Sequence, residues 1–344
     1  MKHAVGRNSA ATLRPQGWMK RAWIGSTTGA GLIFSLCALL VVTGCAPKES
    51  TSSAEGDSMT FGVIPKSTGG EFWETVEAGA RKAAAELGVT IKWEGTVTET
   101  EFAEQNKIIE NMINLGVDGV ALAPLNNVAM KKMVTQTVNA GIPVVIFDSS
   151  VDGDAYSSFV ATDNKAGGVL GGKHLSELME PGSKSMVMRL VQGSGSTEAR
   201  SEGAIEALKA AGHTVVADPY SDTGTVEGCK TAAANTLEGF VKDGALDLNG
   251  IFASNLYSTL GVAEALSDLR KSGIQVDVKF VGFDTSEKLI KGVEEGTIDA
   301  LVAQSPENMG YLAVKTIYAV VKGEAYEPLV DTGVTLVTKA SLGE

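Results

Sequence analysis

The stretch VVIFDSS, Val144–Ser150, and its near copy FVGFDTS, Phe280–Ser286, decide how this chain is read. A run of four apolar residues describes a strand buried on both faces, as in a parallel sheet covered by helices. A carboxylate is expensive to bury in such a strand unless it stands at the very end, where the chain leaves the sheet. Two such ends, about one domain-length apart, imply two sheets. Each would deliver one aspartate, Asp148 or Asp284, to its rim.

Working outward, short runs alternate with amphipathic stretches from Thr60 onward. The runs are FGVI (Phe61–Ile64), VTIKW (Val89–Trp93), GVALA (Gly119–Ala123), SMVMRLV (Ser185–Val191), TVVA (Thr214–Ala217), GIFA (Gly250–Ala253) and ALVA (Ala300–Ala303). In FWETVEAGARKAAAELG the apolar Phe72, Val76, Ala80, Ala83, Ala84 and Leu87 recur at three- and four-residue spacing, which predicts a helix. Strand, helix, strand in this rhythm predicts the α/β class, with doubly wound parallel sheets. The parts also repeat. Gly79-Ala80 ahead of Gly88 matches Gly203-Ala204 ahead of Gly212, and Ala140-Gly141-Ile142 and Ser272-Gly273-Ile274 each lead into one of the two aspartate strands. Two domains of similar plan are expected.

The start of the chain has a different character. Lys2, Arg7, Arg14, Lys20 and Arg21 precede an apolar run over Gly29–Val42, and no acidic residue occurs before Glu49. A positive segment and a short apolar one describe a secretory signal. The run closes on Val42-Thr43-Gly44-Cys45, which resembles a bacterial lipobox. Residues 1–44 are therefore read as a lipoprotein signal peptide, Cys45 as the lipidated residue and 45–58 as a flexible Ser/Glu tether. A plain signal peptide or an uncleaved anchor is the alternative.

The chain of 344 residues carries a formal charge of −12, and cleavage before Cys45 would remove only positive charges. So acidic a product argues against nucleic acid and against an electrostatic grip on anionic lipid. Beyond Cys45 the single thiol is Cys229, which allows no intramolecular disulfide and no cysteine metal site.

Open α/β sheets bind ligands beyond the carboxyl ends of their strands. Reading off those ends gives Lys66 to Gly70, Pro124 to Asn127 and Asp148 to Ser150 in the first half. In the second half they are Gly193 to Ser196 leading to Arg200, then Ser254-Asn255, then Asp284 to Ser286. Any one such polar residue commonly serves only as a helix N-cap. The case rests on convergence in one cleft between two domains.

Nucleotide binding fails on its motifs: Glu198 stands where the dinucleotide fingerprint needs a glycine, and no GxxxxGK[ST] occurs. His174 falls within a predicted helix and His213 at a strand entry, and HExxH and GxSxG are absent. No cofactor, no metal and no enzymatic activity are expected; the enzymatic rival is a glycosidase with Asp148 and Asp284 as its carboxylates. The remaining groups suit a polyhydroxylated ligand. Asp, Asn, Arg and Gln present planar forks to vicinal hydroxyls, and Phe72 or Trp73 offers a flat apolar face.

At these residues the sequence resembles the ribose-type periplasmic sugar-binding proteins, the substrate-capturing components of bacterial ABC importers. The likeness runs from about Met59 to the C-terminus and rests on EFW (Glu71–Trp73), VVIFD, VATDN (Val160–Asn164), GSTEARSEG (Gly195–Gly203), FASN (Phe252–Asn255), VGFD (Val281–Asp284) and AQSPENMG (Ala303–Gly310). It implies a type I periplasmic-binding-protein fold whose two lobes, joined by three crossovers, close on a sugar or polyol by hinge motion. The implied lobes are 59–162 plus 305–325 and 163–304 plus 326–344, with hinges near Thr162, Gln304 and Gly323 to Tyr326. The helix after Pro306 would return to the first lobe.

The implied ligand contacts are Phe72, Trp73, Asp148, Arg200, Asn255, Asp284 and Gln304. The first loop departs from the family, with Lys66 and Gly70 in place of a small polar residue and an asparagine. Ser149 stands where an arginine often follows the aspartate, and Lys66 is expected to supply a replacement donor. The implied protein is an exported, lipid-anchored monomer handing its ligand to a membrane permease, with a chemoreceptor as a second candidate partner. Sensing without transport is the alternative function. A transcriptional regulator of the same plan would need a helix-turn-helix where this chain carries a signal segment.

Overall fold

The structure, a computed structural model, describes residues 58–343. The expected signal segment, Cys45 and nearly all of the expected tether lie outside the described residues.

The first half runs β1 (Thr60–Ile64), α1 (Glu71–Leu87), β2 (Thr90–Trp93), α2 (Phe102–Leu115), β3 (Gly119–Leu122), α3 (Lys131–Asn139), β4 (Val144–Phe147) and β5 (Ser158–Ala161). The second half continues through α4 (Asn164–Glu177), β6 (Lys184–Met188), α5 (Gly195–Ala210), β7 (Thr214–Ala217), α6 (Val226–Glu238) and a small hairpin of β8 (Val241–Lys242) and β9 (Ala245–Leu246). Then follow β10 (Gly250–Ala253), α7 (Leu256–Lys271), β11 (Lys279–Phe283), α8 (Glu287–Glu295), β12 (Ala300–Ala303), α9 (Pro306–Lys322), β13 (Leu329–Asp331) and β14 (Thr335–Thr338).

Two six-stranded sheets result, ordered β13-β5-β4-β3-β1-β2 and β14-β12-β11-β10-β6-β7. Every pairing in them is parallel except that of β14 with β12. The apolar runs behave as read: β3, β4, β10 and β12 are buried along their whole length. Each fully buried Val, Ile, Leu or Phe there contributes roughly 1.5–3 kcal/mol, so these central strands anchor the two lobes.

The repeated glycine has a packing reason. A Cβ on Gly79 of α1 would fall 1.8 Å from the Glu307 carbonyl oxygen of α9, and one on Gly203 of α5 would fall 2.4 Å from that of Lys165 in α4. In each lobe a glycine thus lets two helices approach to backbone contact. Both α1 and α9 lie on the first sheet, so the helix that begins at Pro306 packs against the first lobe.

The chain passes between lobes at Thr162-Asp163, at Gln304-Ser305 and at Thr332 to Val334. The third passage corrects the expected one near Gly323 to Tyr326, and with it the assignment of 326–331 to the second lobe. Gly323 ends α9 in the left-handed conformation at φ 68°, but β13 then pairs with β5 in the first sheet before β14 joins the second. A second correction is the strand expected over Ser185–Val191, which ends at Met188. Arg189 turns away and ion-pairs with Glu198 and Asp218.

Candidate functional site

The first and second lobes meet at the carboxyl ends of their strands, and the cleft between them is lined by Lys66, Phe72, Trp73, Asp148, Arg200, Asn255, Asp284 and Gln304. All eight expected site residues therefore converge. The two aspartates share one more property. Asp148 has φ 61° and Asp284 φ 71°, two of the three non-glycine residues with positive φ among the described residues. This conformation is uncommon outside glycine, although Asp and Asn adopt it more readily than other residues. It turns both carboxylates into the cleft as the chain leaves β4 and β11.

The second-lobe half of the site is a closed hydrogen-bond circuit. Arg200, buried in α5, donates from Nε to Asn164 Oδ1 at 2.8 Å, from Nη1 to the Ser254 carbonyl at 3.2 Å and from Nη2 to Gln304 Oε1 at 2.9 Å. Its guanidinium lies 4.0 Å from the Phe283 ring centroid. Gln304 Nε2 then donates to Asp284 Oδ1 at 2.6 Å, and Asp284 Oδ2 accepts from the Leu256 N–H at 2.8 Å. Burial pushes the Asp284 carboxyl up, while Arg200, Gln304 and the Leu256 N–H pull it back. Burial likewise pulls the Arg200 guanidinium down, against Asp284, Asp148 and Glu99. Gln304 also accepts from Thr162 Oγ1 at 2.9 Å, and that hydroxyl lies 3.3 Å from Thr332 Oγ1. One amide therefore touches the recognition groups and ties the three crossovers together.

The first-lobe half is less complete. Lys66 Nζ lies 2.9 Å from Asp148 Oδ2, with both side chains nearly inaccessible. The approach is off the hydrogen-bonding direction, and Asp148 Oδ2 is a buried acceptor with no hydrogen bond among the described residues. The ammonium instead donates to Ser194 Oγ at 3.2 Å and Ser196 Oγ at 2.9 Å in the other lobe. Of its three N–H donors, at most one is left for a ligand. Lys66 thus ties the lobes together, a role beyond the expected ligand donor. Ser149, at the position of the missing arginine, accepts from the Ser196 N–H at 2.9 Å.

Several expected groups prove to be caps. Asn255 Oδ1 accepts from the Ser258 N–H at 3.0 Å and caps α7, leaving its NH2 for the cleft. Ser286 caps α8, and Asn126 accepts from the N–H groups of Val128 and Ala129. Trp73 and Phe72 meet edge to face with ring centroids 5.0 Å apart, and Trp73 is also part of the first-lobe core.

Two titratable residues of the site, Tyr257 and Glu99, escaped both the strand-end reading and the family resemblance. Tyr257 donates to the Gly69 carbonyl at 3.1 Å across the cleft, and burial pushes its phenol up to about 12. Glu99, 4% exposed, accepts from Trp73 Nε1 at 3.1 Å. Burial, with Asp148 adding to it, pushes its carboxyl up against Lys66, Trp73 and Arg200. Glu99 lies in the loop after VTIKW, so strand-end reasoning extended to that run would have reached it.

Comparison with known proteins points one way. A family model described as the periplasmic binding protein domain matches residues 61–325. The D-allose-binding periplasmic protein of Escherichia coli is 29% identical over 278 residues, covering 78% of this chain and 86% of the relative. A carbohydrate transporter solute-binding protein from Agrobacterium radiobacter, solved in complex with D-arabinose, is 33% identical with a TM-score of 0.77, covering 84% of this chain and 97% of that one. An ABC transporter solute-binding protein from Agrobacterium vitis with bound D-fucose is 33% identical with a TM-score of 0.76, covering 83% and 97%.

Proposed function

Because the chain belongs to the periplasmic binding protein family, we propose that it is the solute-binding component of an ABC importer. It captures one neutral sugar or polyol in the cleft and delivers it to a membrane permease. In this reading Cys45 carries the lipid that holds the protein at the membrane, and residues 45–58 are the tether.

The observation that carries the reading is Asp148. Its carboxylate is buried and paired with Lys66, yet Oδ2 receives no hydrogen bond from the protein among the described residues. Buried acceptors in native proteins almost always have a donor. A sugar hydroxyl supplies one here, while the Asp284, Gln304 and Arg200 circuit takes neighbouring hydroxyls from the other side. Charge-assisted bonds of this kind contribute roughly 1.5–3 kcal/mol each. Phe72 and Trp73 cover the apolar edge of the ring, and Asn255 adds its free NH2. Relatives that hold D-allose, D-arabinose and D-fucose share this ligand chemistry of neutral aldoses.

The test is calorimetric titration with a panel of aldoses and polyols that includes those three sugars. One ligand per chain with micromolar or tighter affinity is expected. Silence across the panel would overturn the reading.

A further inference from the structure

Resting on that sugar-binding reading, we propose that Glu99 is a specificity residue that takes up one proton as the lobes close and then donates its carboxylic hydrogen to an oxygen of the neutral ligand. The first observation is charge. Three carboxylates, Asp148, Asp284 and Glu99, line the cleft against two cations, Lys66 and Arg200. Lys66 is paired with Asp148, and Arg200 lies 4.0 Å from Asp284 and shares Gln304 with it. Among the described residues no ammonium or guanidinium lies within ion-pair distance of Glu99, and its one protein donor is the neutral Trp73 Nε1. A neutral sugar does not balance the remaining negative charge; a proton does.

The second observation is what buries Glu99. It belongs to the first lobe, but the turn before α6 in the second lobe packs on it. A Cβ at Gly224 would stand 3.7 Å from that of Glu99 and 3.2 Å from Val191. Closure therefore removes water from this carboxyl. The titratable groups around it come from every side: Lys66 from the loop after β1, Asp148 from the end of β4, Arg200 from α5, Cys229 from α6 and Tyr257 from α7. Both Cys229 and Tyr257 are pushed up to about 12 and stay neutral, so they supply no compensating charge. Burial is the leading influence on the Glu99 carboxyl, and it favours the protonated form.

The sign follows from linkage. Burial in the closed cleft raises the Glu99 carboxyl above its ordinary value, so uptake on closure requires the open form, where water reaches it, to titrate lower than the closed one. Closure is most favourable below the open-form value, and affinity falls as pH rises, by up to about tenfold per pH unit, until the closed-form value is passed. The proton comes from solvent and returns to it when the lobes open.

The experiment is titration with D-allose, D-arabinose and D-fucose in buffers of different ionisation enthalpy, from about pH 5 to about pH 8. The expected result is an uptake approaching one proton per sugar. Glu99→Gln, which mimics the protonated acid, should bind with no uptake and with a flat pH profile over that range. Binding without uptake at every pH, or unchanged uptake in Glu99→Gln, would overturn the inference alone. So would preferential binding of an amino sugar without uptake, since its ammonium would then serve as the counter-charge. If Glu99→Gln does not bind, the infrared difference spectrum of the parent decides: a new protonated-carboxyl band on adding sugar supports the inference and its absence overturns it. A silent sugar panel overturns the sugar reading first and the inference with it.

Discussion

Lys66 Nζ and Asp148 Oδ2 stand 2.9 Å apart on two loops of the first lobe, and the same ammonium donates to Ser194 and Ser196 of the second. Removing one member of a buried pair leaves the other uncompensated, at about 3–5 kcal/mol. That penalty falls mainly on the closed form, because an open cleft readmits water to Asp148. Lys66→Met is therefore expected to weaken sugar binding by roughly 100-fold or more, read by calorimetry. An affinity within about threefold of the parent would show that the tie contributes little.

Gly195 separates closure from folding. A Cβ there would fall 2.5 Å from Ser150 Oγ and 3.0 Å from the Ser150 carbonyl oxygen, both in the opposite lobe. Gly195 opens α5 without positive φ, so its own lobe accepts alanine. Gly195→Ala should leave the melting temperature of the ligand-free protein within about 2 °C and lower sugar affinity about tenfold or more. A variant that melts early but binds normally would contradict this.

Asp284 holds positive φ and accepts from both Gln304 and the Leu256 N–H. Asparagine tolerates that backbone but keeps a single acceptor oxygen and no charge to face Arg200. Asp284→Asn is expected to fold normally by circular dichroism and to lose about 10- to 100-fold in affinity. Asp284→Ala should in addition lower the melting temperature, since alanine is strained in this conformation.

Cys229 is fully buried where α6 meets α7, and burial pushes its thiol up to about 12. Thiolate is the reactive form, so the native protein should resist alkylation at neutral pH and react at this position once unfolded. Mass spectrometry of the labelled peptide reads the outcome. Rapid native labelling would mean that the α6–α7 pair opens locally.

The central strands were legible because burial on both faces leaves an unbroken apolar run, and the two aspartates because they interrupt such runs at their ends. SFVA, now β5, escaped the strand reading; only its last two residues, Val160 and Ala161, entered it, within the VATDN motif. The edge strands β13 and β14 are partly exposed and pair with residues far away in sequence, so neither periodicity nor local turn residues announces them. Gly323 gave a true signal of a different event: it marks where a helix stops, not where the chain changes lobes. The site divides in the same way. Strand ends pointed to Asp148 and Asp284, and the family resemblance to Gln304. The tie from Lys66 to Ser194 and Ser196 depends on how the lobes face each other, which one lobe's sequence does not encode.

The hydrogen bonds from Thr162 to Gln304, and between Thr162 and Thr332, join all three crossovers to a group that holds Arg200 and Asp284 in place. For anyone converting this protein into a biosensor, that arrangement divides the molecule into two kinds of position. Among the described residues the first-lobe rim, Lys66, Gly70 and Glu99, makes no bond to the crossover residues, so substitutions there retune the choice of sugar and the ease of closure while leaving the crossovers themselves intact. Substitutions at Thr162, Gln304 or Thr332 would change the reporter's stroke and its selectivity together.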